Sequence, residues 1–523
     1  MNPLVIVKTM ANRGMLAPGN PVGIARQLSS LLRWGYGLAG EARQAAARSP
    51  QSPALVDADQ VVTYAELVTR SDRVAHALQR LGFAPGDRLG LLARNHADAV
   101  ITMVGASALG LDLVLLNTGL AASQFQDVAT QQGLKAVIHD EEFTALVGEL
   151  APHTAVVSES ALAAAVAAVR QSPPMAPPAR AGRTIILTSG TTGAPKGAAR
   201  RTPKGPGPLV SIIDRIPLRV GDRILISAPL FHTWGYAALQ LSFGLRACVV
   251  LQRRFHPAQA REALTEHSCD AMFAVPVMLQ RLLEMPSDPA ARARRPLRVV
   301  AASGSAFPSG FSSAFMDEFG DVLYNLYGST EASWVCIATP SDMRRSPDTA
   351  GTPPLGTRVA IVDSDLKPVP EGEVGRVFAG NDMVFEGYTD GAGKQFHDGM
   401  VATGDLGYQR DGLYFIVGRE DDLVISGGEN VYPRELEAAL IDHPSVREVA
   451  AFGVADPAFG QRLAVVVALV PGSDLTEADI RDYVRSRVAR HANPRDVILV
   501  DELPRNATGK VPPRLLRELA EGQ

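Results

Sequence analysis

The stretch Leu187-Thr-Ser-Gly-Thr-Thr-Gly-Ala-Pro-Lys-Gly-Ala198 decides how this chain is to be read. It follows the apolar run Thr184-Ile-Ile-Leu187 and packs hydroxyls, glycines and one lysine into a single turn. That is the pattern of a strand running into a loop that wraps an anion. Gly190 and Gly193 let the backbone approach phosphate oxygens closely, and Thr188, Ser189, Thr191 and Thr192 add hydroxyl donors. Lys196 supplies a positive charge that can follow a leaving pyrophosphate. A plain Gly/Ser/Thr surface turn is the bland alternative, and the concentration of these residues directly after a strand weighs against it. The common ATPase loop needs Gly-Lys followed by Ser or Thr. Lys196 precedes Gly197 and Lys510 precedes Val511, so neither lysine fits that loop.

Outward from this loop, short apolar runs alternate with helical patterns between about residues 60 and 330. Strands are expected at Leu89–Leu92, Leu111–Leu116, Lys135–Ile138, Ile185–Thr188, Arg223–Ala228, Cys248–Gln252, Met272–Val275 and Val299–Ser303. Amphipathic segments such as Tyr64–Leu81 and Pro257–Glu266 lie between them. This alternation predicts an α/β fold with largely parallel sheets. After residue 350 the texture shifts to shorter strands with Gly, Asp and Pro turns, and Pro370-Glu-Gly-Glu-Val-Gly375 reads as a tight turn entering a hairpin. The last hundred or so residues mix helices (Pro433–Ile441, Glu477–Arg490) with strands (Val446–Phe452, Leu463–Val470), which suits one small α+β domain.

The 523 residues are too many for one core and imply at least two domains. With 46% hydrophobic and 20% charged residues, the chain reads as globular. A net charge of −4 lacks the basic excess of a nucleic-acid binder. Cys248, Cys269 and Cys336 are far apart in apolar contexts, which argues against a disulfide framework or a zinc site and for a reducing cytoplasm. No secretory leader is legible at the start, and no run approaches the roughly 20 apolar residues that cross a bilayer.

Further motifs follow in order: Pro229-Leu-Phe-His-Thr-Trp-Gly235, Tyr324-Asn-Leu-Tyr-Gly-Ser-Thr-Glu-Ala332, Thr403-Gly-Asp405, Gly418-Arg-Glu-Asp-Asp422, Ile425-Ser-Gly-Gly-Glu-Asn-Val431 and Leu503-Pro-Arg-Asn-Ala-Thr-Gly-Lys510. With the loop at 187–198, this set strongly resembles the adenylate-forming superfamily of acyl-CoA synthetases, adenylation domains and luciferases. Its wording is nearest to bacterial fatty-acyl-CoA synthetases. The resemblance implies a large N-terminal domain (1–420) with a β-rich subdomain, and a small mobile C-terminal domain (421–523) joined by a hinge at Asp421. It also implies ATP, Mg²⁺ and coenzyme A, and a two-step reaction. A carboxylate attacks the α-phosphate to give an acyl-adenylate and pyrophosphate; a thiol then displaces AMP.

The first step sets one anion against another, which calls for a positive side chain and a metal ion at the developing charge. By resemblance, Lys510 supplies the charge and Glu331 holds the metal, with one carboxylate chemically sufficient for Mg²⁺. Thr330 would bond a phosphate, and Tyr327, within Asn325–Ser329 with Gly328, would lie on the adenine; a core aromatic is its alternative. Gly304, Ser305 and Ala306 match the other adenine wall. Asp405, assisted by Arg419, would accept from the ribose hydroxyls. Asp421 and Asp422 could equally form an ordinary surface turn. In the hinge reading, one pose brings Lys510 to the phosphates and the other brings Ser426, Gly427 and Gly428 to the pantetheine channel. His232 would border the acyl pocket and move between half-reactions, with a satisfied core histidine as the alternative. A surface-charge reading of Lys510 is the bland one, and the complete motif series argues against it.

The segment Gly235–Gly244 would line the acyl pocket, and its lack of charge predicts an apolar tail, most simply a medium- or long-chain fatty acid. An aromatic or terpenoid acid, or transfer to a carrier-protein thiol, are the alternatives; no carrier-like module follows residue 523. A silent lipid-binding relative would be expected to lose Lys510, Glu331 or Lys196, and all three are present. After Lys196 the loop continues Gly-Ala-Ala-Arg-Arg-Thr-Pro-Lys204, where many relatives carry a His or an aromatic residue, so acceptor geometry there is left open. Val22–Leu38 sets Ile24, Leu28, Leu31 and Leu32 on one helical face, with docking on its own domain expected and peripheral contact with the inner membrane face as the alternative. The partner is a small carboxylic acid rather than nucleic acid; the oligomeric state is open, a homodimer being one option.

Overall fold

Thr63 starts the helix Tyr64–Arg80 with a reciprocal cap. Its hydroxyl accepts from the Glu66 amide at 3.2 Å, and the Glu66 carboxylate accepts from the Thr63 amide at 2.8 Å. Such a box satisfies two donors that a first turn leaves unpaired, a contribution of about 1 kcal/mol. The helix packs on Ala97–Leu109, which is apolar on nearly every side and buried along almost its whole length. A helix of that composition belongs inside a core. In the computed structural model, which describes residues 3–148, 150, 154–188, 196–200, 202–287, 297–391, 393–426, 429–456, 460–488 and 492–521, it lies in a layer between two sheets.

The six-stranded sheet runs 155–158, 136–139, 88–92, 112–115, 184–188 and 196–200, parallel except for the last strand. The eight-stranded sheet runs 333–338, 323–329, 299–303, 271–274, 223–226, 248–251, 53–56 and 61–63, with antiparallel strands only at its two edges. Period-2 alternation divides its faces. Ile224 and Ile226 join the helix layer, whereas Leu225 joins a second core with Phe315 and Met316. An antiparallel sheet of strands 358–362, 375–380, 400–410, 396–397 and 413–419 follows. The last sheet, built from strands between Val424 and Val500, buries Val465 and Val467 against Leu436, Leu440, Ile480 and Val484.

Every strand expected from the apolar runs is present, most within a residue or two of its expected limits. The helix expected over Glu477–Arg490 ends at Arg485 instead. Beyond it the amides of Arg487 and Val488 both reach the Val484 carbonyl, closing a turn. The three cysteines are buried and unbridged among the described residues. No helix of the described residues is long and apolar enough to cross a membrane.

The N-terminal helix Pro21–Trp34 docks on Leu38–Arg48. Gln27 Nε2 donates to Gln44 Oε1 at 2.6 Å, and the Arg43 guanidinium lies 3.8 Å from the Trp34 ring centroid. Ile24 and Leu31 are half-buried, while Leu28 and Leu32 stay exposed, so the expected apolar face is split. Arg43 also pairs with Asp72, fastening Leu38–Arg48 to Tyr64–Arg80. Through these contacts, residues 36–48 come to lie against the helix Thr233–Gly244.

Candidate active site

The carboxyl ends of neighbouring parallel strands are where open α/β sheets bind ligands. Here the strands Val299–Ser303 and Leu323–Ser329 deliver Gly304 and the Gly328–Thr330 turn to one cavity. Ser305 and Ala306 follow at the surface. Asn325 stands in register with Ala302 and Ala338. From the antiparallel sheet, Asp405 and Arg419 sit opposite each other in register, with Arg419 Nη1 3.5 Å from Asp405 Oδ1. The Tyr327 hydroxyl donates to Asp405 Oδ2 at 2.6 Å, tying the two sheets together. Burial pushes the Asp405 carboxyl upward, with Arg419 and the Tyr327 bond pulling the other way. Burial and then Asp405 push the Tyr327 phenol well above its usual range, so it remains a donor.

Thr188 and Lys196 pair across the antiparallel strands 184–188 and 196–200. Ser189, Gly190, Thr191, Thr192 and Gly193 lie outside the described residues. Lys196 Nζ is 3.3 Å from Asp390 Oδ2 and 5.6 Å from the Tyr388 ring centroid. The Tyr388 hydroxyl donates to Glu331 Oε1 at 2.6 Å, and the Phe385 amide donates to the Glu331 carbonyl at 2.8 Å. Glu331 is buried, and its second carboxylate oxygen takes no hydrogen bond from the described residues. Such a carboxylate fits Mg²⁺, which prefers one or two carboxylates and completes its shell with phosphate and water oxygens. Tyr388 and Asp390 were not legible in advance; their only local signal is a Gly-Tyr pair in an ordinary turn.

Lys510 reaches the same cavity from the C-terminal end of the chain, where it lines the wall with Gly304 and Thr330. Its loop is closed by Asn506, whose Oδ1 accepts from the Thr508 amide (3.0 Å), the Thr508 hydroxyl (2.7 Å) and the Lys510 amide (3.0 Å). Gly509 has φ +81°, and a β-carbon there would stand 2.7 Å from Val277 Cγ1. Only glycine can take both that conformation and that approach. An Arg281–Glu502 ion pair at 2.6 Å spans the same junction. Burial and Arg419 draw the Lys510 ammonium down from 10.5, opposed by Glu331 and Asp405.

Thr330 Oγ1 lies 3.0 Å from Thr233 Oγ1. His232 caps the helix Thr233–Gly244 and also lines the cavity. Desolvation, followed by the Lys510 and Arg200 charges, holds its imidazole down to about 3, so the ring is neutral. Its Nδ1 is buried without a partner among the described residues. Asp421 sits exposed in the turn Glu420–Asp422. Ser426 belongs to the hairpin Val424–Val431, away from the residues lining the cavity, and Gly427 and Gly428 lie outside the described residues.

Beyond His232 the cavity is walled by Leu209, Ile212, Trp234, Ala237 and Leu241, as the position of Gly235–Gly244 leads one to expect. Tyr236 turns away to Thr184, with their hydroxyls 2.8 Å apart. Gly235–Gly244 itself brings no charge, as its sequence shows, but two charged types reach the cavity from elsewhere in the chain. Arg200, 8% exposed, comes from the edge strand, and Glu41, also 8% exposed, comes from the helix Leu38–Arg48. Arg200 Nη2 donates to Ser333 Oγ at 2.6 Å, and no carboxylate among the described residues pairs with it.

A family model described as AMP-binding enzyme matches residues 42–389, and one for the AMP-binding enzyme C-terminal domain matches residues 435–510. Feruloyl-CoA synthase of an Amycolatopsis species is 30% identical, the match covering 88% of this chain and 95% of that protein. 2-Succinylbenzoate–CoA ligase of Geobacillus kaustophilus is 31% identical over 91% of this chain and 97% of that one. The solved structure of o-succinylbenzoate CoA synthetase from Bacillus subtilis, in complex with its acyl-adenylate intermediate, superposes with a TM-score of 0.80 at 28% identity, covering 91% and 97% of the two chains. With the motif series, the fold and these matches in agreement, the chain belongs to the AMP-binding enzymes, the adenylate-forming family of acyl-CoA synthetases, and is an ATP-dependent acid–thiol ligase that uses ATP and coenzyme A.

Proposed function

We propose that this ligase activates a carboxylic acid bearing an additional oxygen function, with an aromatic acid favoured over a plain fatty acid. The observation that carries this reading is Arg200. Its guanidinium is buried in the cavity wall, its one hydrogen-bond partner among the described residues is a neutral hydroxyl, and burial draws it below its usual range. An alkyl tail filling the cavity would expel water and leave that charge unpaired, a cost of several kcal/mol. An oxygen on the acid removes the cost. The names of two relatives, which specify feruloyl and 2-succinylbenzoate, agree with such an acid, whereas a third, 30% identical, is named a fatty acid–(acyl-carrier-protein) ligase.

In this reading the acid's carboxylate attacks the α-phosphorus of ATP, forming the acyl–phosphate bond while pyrophosphate leaves. Lys510 and Lys196 are the positive groups around that charge, and Thr330 bonds a phosphate oxygen. Glu331 holds Mg²⁺, which when bound supplies charge neutralisation on the phosphates. Asp405 and Arg419 orient the ribose, and Tyr327 together with Gly304–Ala306 flanks the adenine. His232, neutral, borders the acyl carbonyl and transfers no proton. The CoA thiol then attacks that carbonyl and AMP leaves, with the C-terminal domain (421–523) turning at Asp421 to bring Ser426–Gly428 to the thiol.

The test is competition among acids. Purified protein with Mg²⁺-ATP and CoA is offered 4-hydroxy-3-methoxycinnamate, 2-succinylbenzoate, cinnamate and hexadecanoate, and acyl-CoA products are weighed by mass. An oxygenated aromatic acid should lead hexadecanoate by about tenfold or more, the yield of one charge-assisted hydrogen bond. A lead for hexadecanoate would return the assignment to a fatty acid. Acyl-AMP without thioester would move it to a carrier thiol.

A further inference from the structure

Glu41 is the second charged type in the acyl cavity, and its surroundings differ from those of Arg200. The helix Thr233–Gly244 runs from His232, at the reacting end, for 12 residues, or about 18 Å. Its last residue lies against Glu41: a β-carbon on Gly244 would be 3.6 Å from Glu41 Oε2. Glu41 therefore stands far along the cavity from Lys510 and Thr330. Tyr36 and Gln240 line the cavity with it.

A relay of amides fixes the carboxyl. Gln27 donates to Gln44 Oε1 at 2.6 Å, and Gln44 Nε2 donates to both the Phe243 carbonyl (3.0 Å) and Glu41 Oε2 (3.1 Å). Gln44 is 1% exposed, so this amide has nowhere else to turn. Glu41 Oε1 takes no hydrogen bond from the described residues, and no cation among them pairs with Glu41. Burial pushes the carboxyl up to about 8, with the Gln44 amide only partly opposing it. Oε1 is thus left with hydrogen-bonding capacity that none of the described residues uses. A purely structural glutamate would place that capacity on protein atoms, as Asp72 does with Arg43 and the Met175 amide.

We infer that Glu41 is a specificity-determining residue that, with Tyr36 and Gln240, recognises an oxygen substituent on the acyl group remote from the reacting carboxylate. This rests on reading the cavity as the acyl site. It adds a length requirement, since the acid must extend from Lys510 to the far end of the helix Thr233–Gly244 to satisfy Glu41. It also separates two recognitions. Arg200 lies within electrostatic reach of His232 and Glu331, at the reacting half, whereas Glu41 reads the other end.

Two matched acid pairs test the inference: decanoate against 10-hydroxydecanoate, and hexadecanoate against 16-hydroxyhexadecanoate. The readout is the ratio of kcat/KM, hydroxylated over parent, in the wild type, Glu41→Leu and Glu41→Gln. Each ratio is taken within one protein, so a variant that folds poorly lowers both members alike. The wild type should favour the hydroxylated acid by about tenfold in at least one pair, the yield of one ordinary hydrogen bond. Glu41→Leu should bring that ratio to about one, and Glu41→Gln, which retains a donor, should restore most of it. A wild-type ratio near one in both pairs, or a preference that survives Glu41→Leu, overturns the inference. If oxygenated aromatic acids are still turned over in that case, the broader reading stands and only the role of Glu41 falls. If hexadecanoate outruns every oxygenated acid, both fall.

Discussion

The cavity has two halves that differ in how they are written into the chain. On the nucleotide side, Tyr327, Glu331, Asp405, Arg419 and Lys510 each sit within a short contiguous motif, and the fold brings all of them together. On the acyl side, the wall is assembled from residues 36–41, the edge strand at Arg200, the helix starting at Gly207 and the helix Thr233–Gly244. In the proposed reading the first half handles a constant partner, ATP, so strand ends and tight turns fix its geometry locally. The second half, in that reading, handles the variable acid, and its polar groups come from segments with no motif of their own. Chemistry is local here, and selectivity is distributed.

That contrast explains what could be read from the sequence. The apolar runs 89–92, 224–226 and 299–302 read as buried strands because burial on both faces leaves no polar positions to blur them. The stretch after Leu187 stands out in the sequence because anion binding demands glycines and hydroxyls in one place, although residues 189–195 lie outside the described residues. Glu41 was not, since a glutamate four residues into an alanine-rich helix looks like any solvated helix charge. Only the packing of that helix on Thr233–Gly244 removes it from water. Arg200 was hidden in the same way, in a run of two arginines that reads as surface. Tyr388 was missed because its partner, Glu331, lies 57 residues away.

The largest effect that could break the contrast lies on the nucleotide side. Lys510→Ala should lower adenylation, followed as pyrophosphate release, by about 10²–10³-fold, the scale for removing one preorganised transition-state partner. Thioester formation from supplied acyl-adenylate and CoA should stay nearly intact, and an equal loss in both assays would place Lys510 outside the adenylation step. Arg200→Met should act on the acid alone. We expect kcat/KM for an oxygenated acid to fall about 10–100-fold at an unchanged KM for ATP, and a matching rise in the ATP value would assign Arg200 to the nucleotide half.

Gly509→Ala tests the junction. The left-handed conformation and the approach to Val277 should together make closure about 1–2 kcal/mol harder, visible as roughly a tenfold slower adenylation at an unchanged unfolding temperature. No slowing would mean that the loop closes by another path. The smallest effect belongs to Glu41→Gln, read as stability. A carboxyl raised from 4.5 to about 8 in the fold contributes stability that is complete below pH 4.5 and is lost as pH rises through about 8. The wild-type unfolding midpoint should therefore fall between pH 6 and pH 9, and the variant's should fall less, by about 2–5 °C. Parallel curves would show that Glu41 is already ionised in the fold.

The Gly509 contact also bears on how long a closed complex can last. A joint formed where a side chain is missing buries little apolar area, so at about 25 cal/mol per Å² it is a weak fastener. In the proposed reading, the cargo adds to the Arg281–Glu502 pair in holding the C-terminal loop down, because the triphosphate's negative charge lies under Lys510. When pyrophosphate departs, much of that attraction departs with it, and the loop keeps Val275, Val277 and the ion pair. On that reading no separate release signal is needed, because the first product carries part of the latch away.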